Sequence, residues 1–166
     1  KITNTIGDLN IVAISCGDYH SLFLDDNGNV YGCGYNIKGQ LGMGSDDTTD
    51  RHTPTKITTT IGSLNIVAIN ARDSHSLCLD DNGKVYSFGR NNYGQLGNNT
   101  TTDRHTPTKI TNTIGDLNIV AISASANHSL FLDDNGKVYS CGRNYFGQLG
   151  MGSDDTTDRH TPTKIT

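Results

Sequence analysis

One stretch, HSLFLDDNGKVYSCGRNYFGQLG at His128 to Gly150, occurs three times with few changes, the other copies running from His20 to Gly42 and from His75 to Gly97. The three histidines lie 55 and then 53 residues apart. A chain that repeats at such a period folds as a solenoid or propeller array, in which each unit buries its apolar face only against its neighbours. Each copy reads as two strands joined at Asn27-Gly28, Asn82-Gly83 or Asn135-Gly136. Asn-Gly between alternating apolar segments predicts a β-hairpin with a type I′ turn, both residues tolerating positive φ.

Two more segments belong to each period. LNIVAIS at Leu9 to Ser15 returns at Leu64 to Asn70, with Asn70 for Ser, and at Leu117 to Ser123. Apolar residues on both faces predict an inner strand packed on both sides. With the hairpin and the TPTKI segment this makes about four strands per period, and four-stranded sheets repeated radially are propeller blades. The expected fold is therefore all-β, with blades of four antiparallel strands at 1–55, 56–108 and 109–166. KITNTI at Lys1 returns at Lys56 (as KITTTI) and Lys109 and begins again at Lys164. That layout implies three whole periods and a stub, as in a segment of a running array or a chain that continues.

Composition agrees with a turn-rich β protein: 33% of the residues are hydrophobic, 19 are Gly and none is Trp. The formal charge of −4 and the lack of a basic run argue against nucleic acid as the main partner. No apolar stretch reaches the ~20 residues of a membrane span, and neither a signal peptide nor an initiator Met opens the sequence.

AISCGDYHSLFLDDNGNVYGCGYNIKGQLGMG in the first copy resembles the regulator of chromosome condensation repeat, with its His-Ser strand, hairpin, aromatic-Gly pair and Gly-Gln-Leu-Gly. The resemblance covers all three periods. Three departures qualify it. The Gly before the histidine survives only as Gly17, with Arg72 and Ser125 in the other copies; Cys33, Phe88 and Cys141 replace the Trp of the usual Trp-Gly pair; and three blades stand where the family's rings typically have seven. Three blades fall below the four to eight of typical propellers. The resemblance implies a ring not closed within these 166 residues.

Cysteines and histidines follow the repeat. Cys16 aligns with Ala71 and Ala124, Cys78 with Phe23 and Phe131, and Cys33 and Cys141 with Phe88, which predicts buried free thiols. There is no CxxC to suggest zinc or redox exchange. A reducing, cytoplasmic setting follows, with secretion as the alternative. His20, His75 and His128 open the same strand in every copy, while His52, His105 and His160 sit in RHTPT. Both sets are expected to make structural hydrogen bonds. LDDNG lacks the Gly of a calcium loop after Asn29, and the acidic Ser45 to Asp50 and Ser153 to Asp158 read as solvated loops. No metal, cofactor or catalytic residue is expected, since no nucleophile, base and orienting group fall together outside the frame. Asn98 and Asn127 begin glycosylation sequons that matter only in a secreted chain.

The copies differ most just before each His and just before each GQLG. The four Tyr outside the frame and the three Arg outside RHTPT all fall in these two loops. Tyr and Arg are the residues enriched at binding hot spots. Because the two loops enter and leave antiparallel partners of one hairpin, all six should share a rim opposite the Asn-Gly turns. The candidate protein-binding rim is Tyr19, Tyr35, Arg72, Arg90, Tyr93, Arg143, Tyr145 and Phe146. In the family this chain resembles, loops in these positions contribute to the face that binds a small GTPase, chromatin or, in bacterial propeller inhibitors, a β-lactamase. Three functions remain in view: a non-enzymatic protein-binding scaffold, a guanine-nucleotide exchange factor or regulator of a small GTPase, and a structural segment of a larger array. The expected partners are an unidentified protein and either a second copy giving six blades or more repeats of a longer chain.

Overall fold

The computed structural model describes residues 5–165; the opening Lys1 to Asn4 and the closing Thr166, on which part of the repeat reading rests, lie outside them. Twelve strands form and no helix, among the described residues. Blade 1 comprises β1 (Ile11–Cys16), β2 (His20–Asp25), β3 (Val30–Gly34) and β4 (Arg51–Lys56). Blade 2 comprises β5 (Ile66–Arg72), β6 (His75–Asp80), β7 (Val85–Gly89) and β8 (Arg104–Lys109). Blade 3 comprises β9 (Ile119–Ala124), β10 (His128–Asp133), β11 (Val138–Gly142) and β12 (Arg159–Lys164). Each is a sheet of four antiparallel strands in sequence order, none closed on itself. The first strands β1, β5 and β9 pack against one another in series, which places them innermost.

The hairpins differ from the expected type I′ geometry. Gly28, Gly83 and Gly136 have φ of 76°, 70° and 73°, whereas no Asn of the three turns has positive φ. Gly28 N–H donates to the Asp25 carbonyl at 3.1 Å and Asp25 N–H to Asn29 at 3.0 Å, a type I turn followed by a left-handed glycine. The aspartate explains the change: Asp25 Oδ1 accepts from the N–H groups of Asn27 at 3.0 Å and Asn29 at 2.8 Å, which fixes the longer loop. Asp80 and Asp133 do the same in their blades.

The core lies between blades rather than within them. Leu22, Leu24 and Val30 of blade 1 meet Ile66, Ile69, Cys78 and Phe88 of blade 2, and Leu77, Leu79 and Val85 of blade 2 meet Ile119, Phe131 and Cys141 of blade 3. Blade 2 is thus covered on both sides and blades 1 and 3 on one. Ile69 of β5 is 9% exposed, whereas Ile14, its counterpart in β1, is 71% exposed. The inner strand is packed on both sides only in the middle blade, and even there Val67, beside the bulge between Ile66 and Ala68, reaches solvent. The same asymmetry corrects the thiol expectation. Cys78 and Cys141 are buried and burial pushes their pKa far up, but Cys33 is half-buried and Cys16 is exposed, because the face of β1 on which Cys16 lies has no blade against it.

Phe131 and Phe23 hold one frame position in different surroundings, the first buried in an interblade core and the second half-buried on the open face. Phe131→Ala is expected to cost about 3–5 kcal/mol, and Phe23→Ala less than half of that. Urea unfolding of both variants beside the parent checks this, and equal losses would contradict the interblade account.

Candidate protein-binding rim

The rim stands on a polar frame that repeats. Asn36 Oδ1 accepts from Leu41 N–H at 2.9 Å, Gln40 Oε1 from Lys38 N–H at 2.9 Å, and Asp50 Oδ1 from Asn36 N–H at 2.9 Å. Asn91, Gln95 and Asp103 repeat these bonds in blade 2, and Asn144, Gln148 and Asp158 in blade 3. The loop before GQLG is therefore tied at three points while its large side chains point outward. The other loop joins it: Tyr35 N–H donates to the Tyr19 carbonyl at 2.8 Å, Arg90 N–H to Ser74 at 2.9 Å, and Arg143 N–H to Asn127 at 2.8 Å. In each blade both loops lie at the end of the hairpin away from its turn.

The eight candidate residues fall into three groups. Tyr19 and Tyr35 of blade 1 meet edge to face with ring centroids 6.3 Å apart, and Tyr19 is 74% exposed. Arg90 is taken up within blade 2, its guanidinium 3.3 Å from Asp73, while Arg72 at the end of β5 is exposed. The third group crosses from blade 2 to blade 3. The Arg143 guanidinium lies 5.0 Å from the Tyr93 ring centroid and 5.5 Å from that of Tyr145, within cation–π range of both. Tyr145 in turn meets Phe146 edge to face at 4.8 Å, and Phe146 is 80% exposed. Two further residues of the variable loops, outside the eight candidates, belong to this surface. Ile37 is exposed beside Tyr35, and as a lone aliphatic it carried no signal; Asp73 sits in the left-handed region at φ 48° to reach Arg90, which nothing in the residue order announces.

The two histidine sets separate. His20 Nε2 lies 2.9 Å from Ser76 Oγ, and Ser76 Oγ–H donates to the Gln40 carbonyl at 2.9 Å. His75, Ser129 and Gln95 repeat the link at 3.1 and 2.8 Å. Since the serine proton goes to the carbonyl, Nε2–H of each histidine is the donor. Contrary to expectation, His128, which has no blade after it, and His52, His105 and His160 make no side-chain hydrogen bond among the described residues. Two of the RHTPT histidines lie against the preceding blade: a Cβ on Gly39 would lie 2.4 Å from His105 Cα, and one on Gly94 2.6 Å from His160 Cα; His52, with no blade before it, is exposed. No group of three or more His, Cys, Asp or Glu is placed to hold a metal ion, among the described residues.

Three stacked four-stranded blades joined by such links define an open β-propeller segment. A family model described as RCC1-like domain matches residues 1–166, and the chain belongs to that family. It is 36% identical over 161 residues to the human "Probable E3 ubiquitin-protein ligase HERC4", covering 97% of this chain and 15% of the ligase. What it shares with that ligase is the propeller repeat. Among solved structures it resembles Prp20p from Saccharomyces cerevisiae, with TM-score 0.82 and 26% identity over 95% of this chain and 38% of that one. Human WBSCR16 shares the fold with TM-score 0.86 and 24% identity, over the whole of this chain and 40% of its own.

Burial lowers the pKa of His20 from 6.5 to about 4, partly offset by the Asp73 carbonyl and the Asp18 carboxylate. Burial also lowers that of His75 to about 3, helped by His20 and His128. Both stay neutral in the fold, whereas the unfolded chain binds protons below about 6.5. Their contribution is complete above pH 6.5 and is lost progressively from there as pH falls to about 4 for His20 and about 3 for His75. Stability should therefore drop by up to ~1.4 kcal/mol per pH unit for each histidine below that onset. Urea unfolding from pH 7 to 4.5 checks the slope, which His75→Gln should make shallower; a flat profile would contradict neutral burial.

Proposed function

We propose that this chain is a non-enzymatic propeller segment that binds another protein through its rim. The observation that carries the proposal is the stacking of Arg143 on Tyr93 and Tyr145, which presents a fixed cation and three aromatic edges from two blades. A rim tied down by frame bonds loses little conformational freedom on docking, so more of its contact energy remains as affinity. The solved structure of Prp20p is described with its binding to Gsp1p and histones, which supports a protein partner for a fold of this kind. Regulation of a small GTPase has no observation of its own here: Tyr19, Ser74 and Asn127 stand where the family often carries an acid before the histidine.

Tyr93→Ala and Tyr145→Ala should each cost on the order of 1–4 kcal/mol of partner binding with little loss of stability. Asn99→Ala, outside the rim, should change neither. Pull-down with the parent and with the double Tyr variant is the measurement. Equal recovery of every bound protein by both baits removes the rim as an interface.

The same reading includes the open blade faces. Val12, Ile14 and Cys16 form one exposed strand face, and Gly147 has no neighbour where Gly39 and Gly94 meet the next blade. We propose that blades of the same kind cover both faces. In the isolated 166-residue chain a second copy supplies them, giving six blades; in a longer parent chain further repeats do so. Sedimentation of the isolated chain should then show twice its 17.9 kDa mass. A compact monomer at all concentrations would sink this part.

A further inference from the structure

The arginine that opens the outer strand is closed onto its own loop in two blades and left open in the third. Arg51 pairs with Asp47 and donates to the Thr49 carbonyl at 2.8 Å. Arg159 pairs with Asp155 at 2.6 Å and donates to Thr157 at 3.0 Å. In blade 2 the loop is two residues shorter, and Thr100 stands four residues before Arg104 where the other copies have Asp. Thr100 turns inward and donates from its hydroxyl to Asn98 at 2.7 Å. Arg104 makes no side-chain hydrogen bond or ion pair among the described residues, and its Nε is shielded from solvent without an acceptor. A guanidinium in that state has lost part of its hydration and gained no counter-ion, a condition an incoming anion relieves.

Arg104 lines an open pocket of about 490 Å³ between blades 1 and 2, within the ~300–1,000 Å³ of small-ligand sites. Its other walls carry donors: the hydroxyls of Thr101, Thr102 and Thr106 and the amide of Asn92, while Ser45 Oγ–H, also at the wall, donates to Asp46 at 3.5 Å. Asp103 also borders the pocket, but it is already engaged. Its Oδ1 accepts from Asn91 N–H at 2.8 Å, and its Oδ2 lies 3.2 Å from Lys38 Nζ of blade 1. With that pair neutralised, the Arg104 charge is the one left uncompensated among the residues that line the pocket.

We propose that this pocket binds a phosphate-class oxyanion, held by the Arg104 guanidinium and oriented by the surrounding hydroxyls. The planar fork of an arginine matches two oxygens of such a group, and the hydroxyl donors satisfy the others. Blades 1 and 3 contain the acid for this arginine; blade 2 takes it from outside. Phosphate carried on a side chain and free phosphate share this chemistry.

Titration of the 166-residue chain with inorganic phosphate and, separately, with O-phosphoserine, followed by amide NMR at constant ionic strength against chloride, tests the proposal. Saturable shifts confined to Asn92 and residues 101–106 are expected, and tighter binding of phosphoserine would point to a side-chain source. Arg104→Gln and Thr100→Asp should each weaken binding about tenfold or more, the second because it returns the internal acid, with the amide spectrum of each variant away from the pocket showing that the fold is kept. Arg159→Gln should leave it unchanged. The proposal is overturned by shifts that do not saturate, or by equal binding to the parent, Arg104→Gln and Thr100→Asp.

Discussion

The whole array depends on one buried polar link, from a histidine of one blade to a serine of the next and back to a glutamine carbonyl of the first. His20, Ser76 and Gln40 make it once and His75, Ser129 and Gln95 again. All six side chains are buried, while His128, the next histidine in the series, is half-buried. A serine hydroxyl enclosed by apolar neighbours must find both a donor and an acceptor, and an unsatisfied one costs about 1–3 kcal/mol. Only one blade spacing and one register satisfy both ends, so the link specifies geometry that the surrounding Leu, Ile and Phe contacts could meet in several ways.

The link also gives the array a direction. Every blade offers a histidine and a GQLG loop forward and accepts them with a serine and an RHTPT strand. Other contacts run the same way: Gly28 accepts from Ile66 N–H at 3.2 Å and Gly83 from Ile119 N–H at 3.1 Å. Ser15 Oγ accepts from Ala71 N–H, and Asn70 Oδ1 from Ala124 N–H, both at 2.8 Å. Two opposite faces of one blade are therefore complementary rather than alike. Stacking of such units propagates, and a rim loop is positioned by its own blade and by the next one, as Arg143 and Tyr93 show.

This division explains what the residue order disclosed. The strands, their number per period and their grouping into blades follow from HSL, DDNG and LNIVAIS, because period-2 alternation and turn residues are local signals. The turn type did not follow from Asn27-Gly28, since Asp25 recruits two N–H groups and lengthens the loop. Nor was the exposure of Cys16 legible. Alignment with the buried Ala71 reports the frame position, whereas burial at that position is contributed by the preceding blade. On the rim, the enrichment in Tyr and Arg was visible in the sequence, but its sorting was not. Arg90 is consumed by Asp73 and Arg143 by two tyrosines, and the difference lies in a left-handed Asp73 and a neighbour from another blade.

Near-identical repeats make the exceptions informative, because each position carries its own internal control. Arg51, Arg104 and Arg159 occupy one frame position on one strand type, with the same RHTPT context. Two are neutralised within four residues and one is not, and the only covalent difference is the composition and length of the loop before it. The strand itself does not distinguish them, since Pro54, Pro107 and Pro162 are buried alike three residues further on. The frame fixes where a guanidinium stands; a two-residue deletion decides whether its charge is spent inside the blade or offered to a ligand.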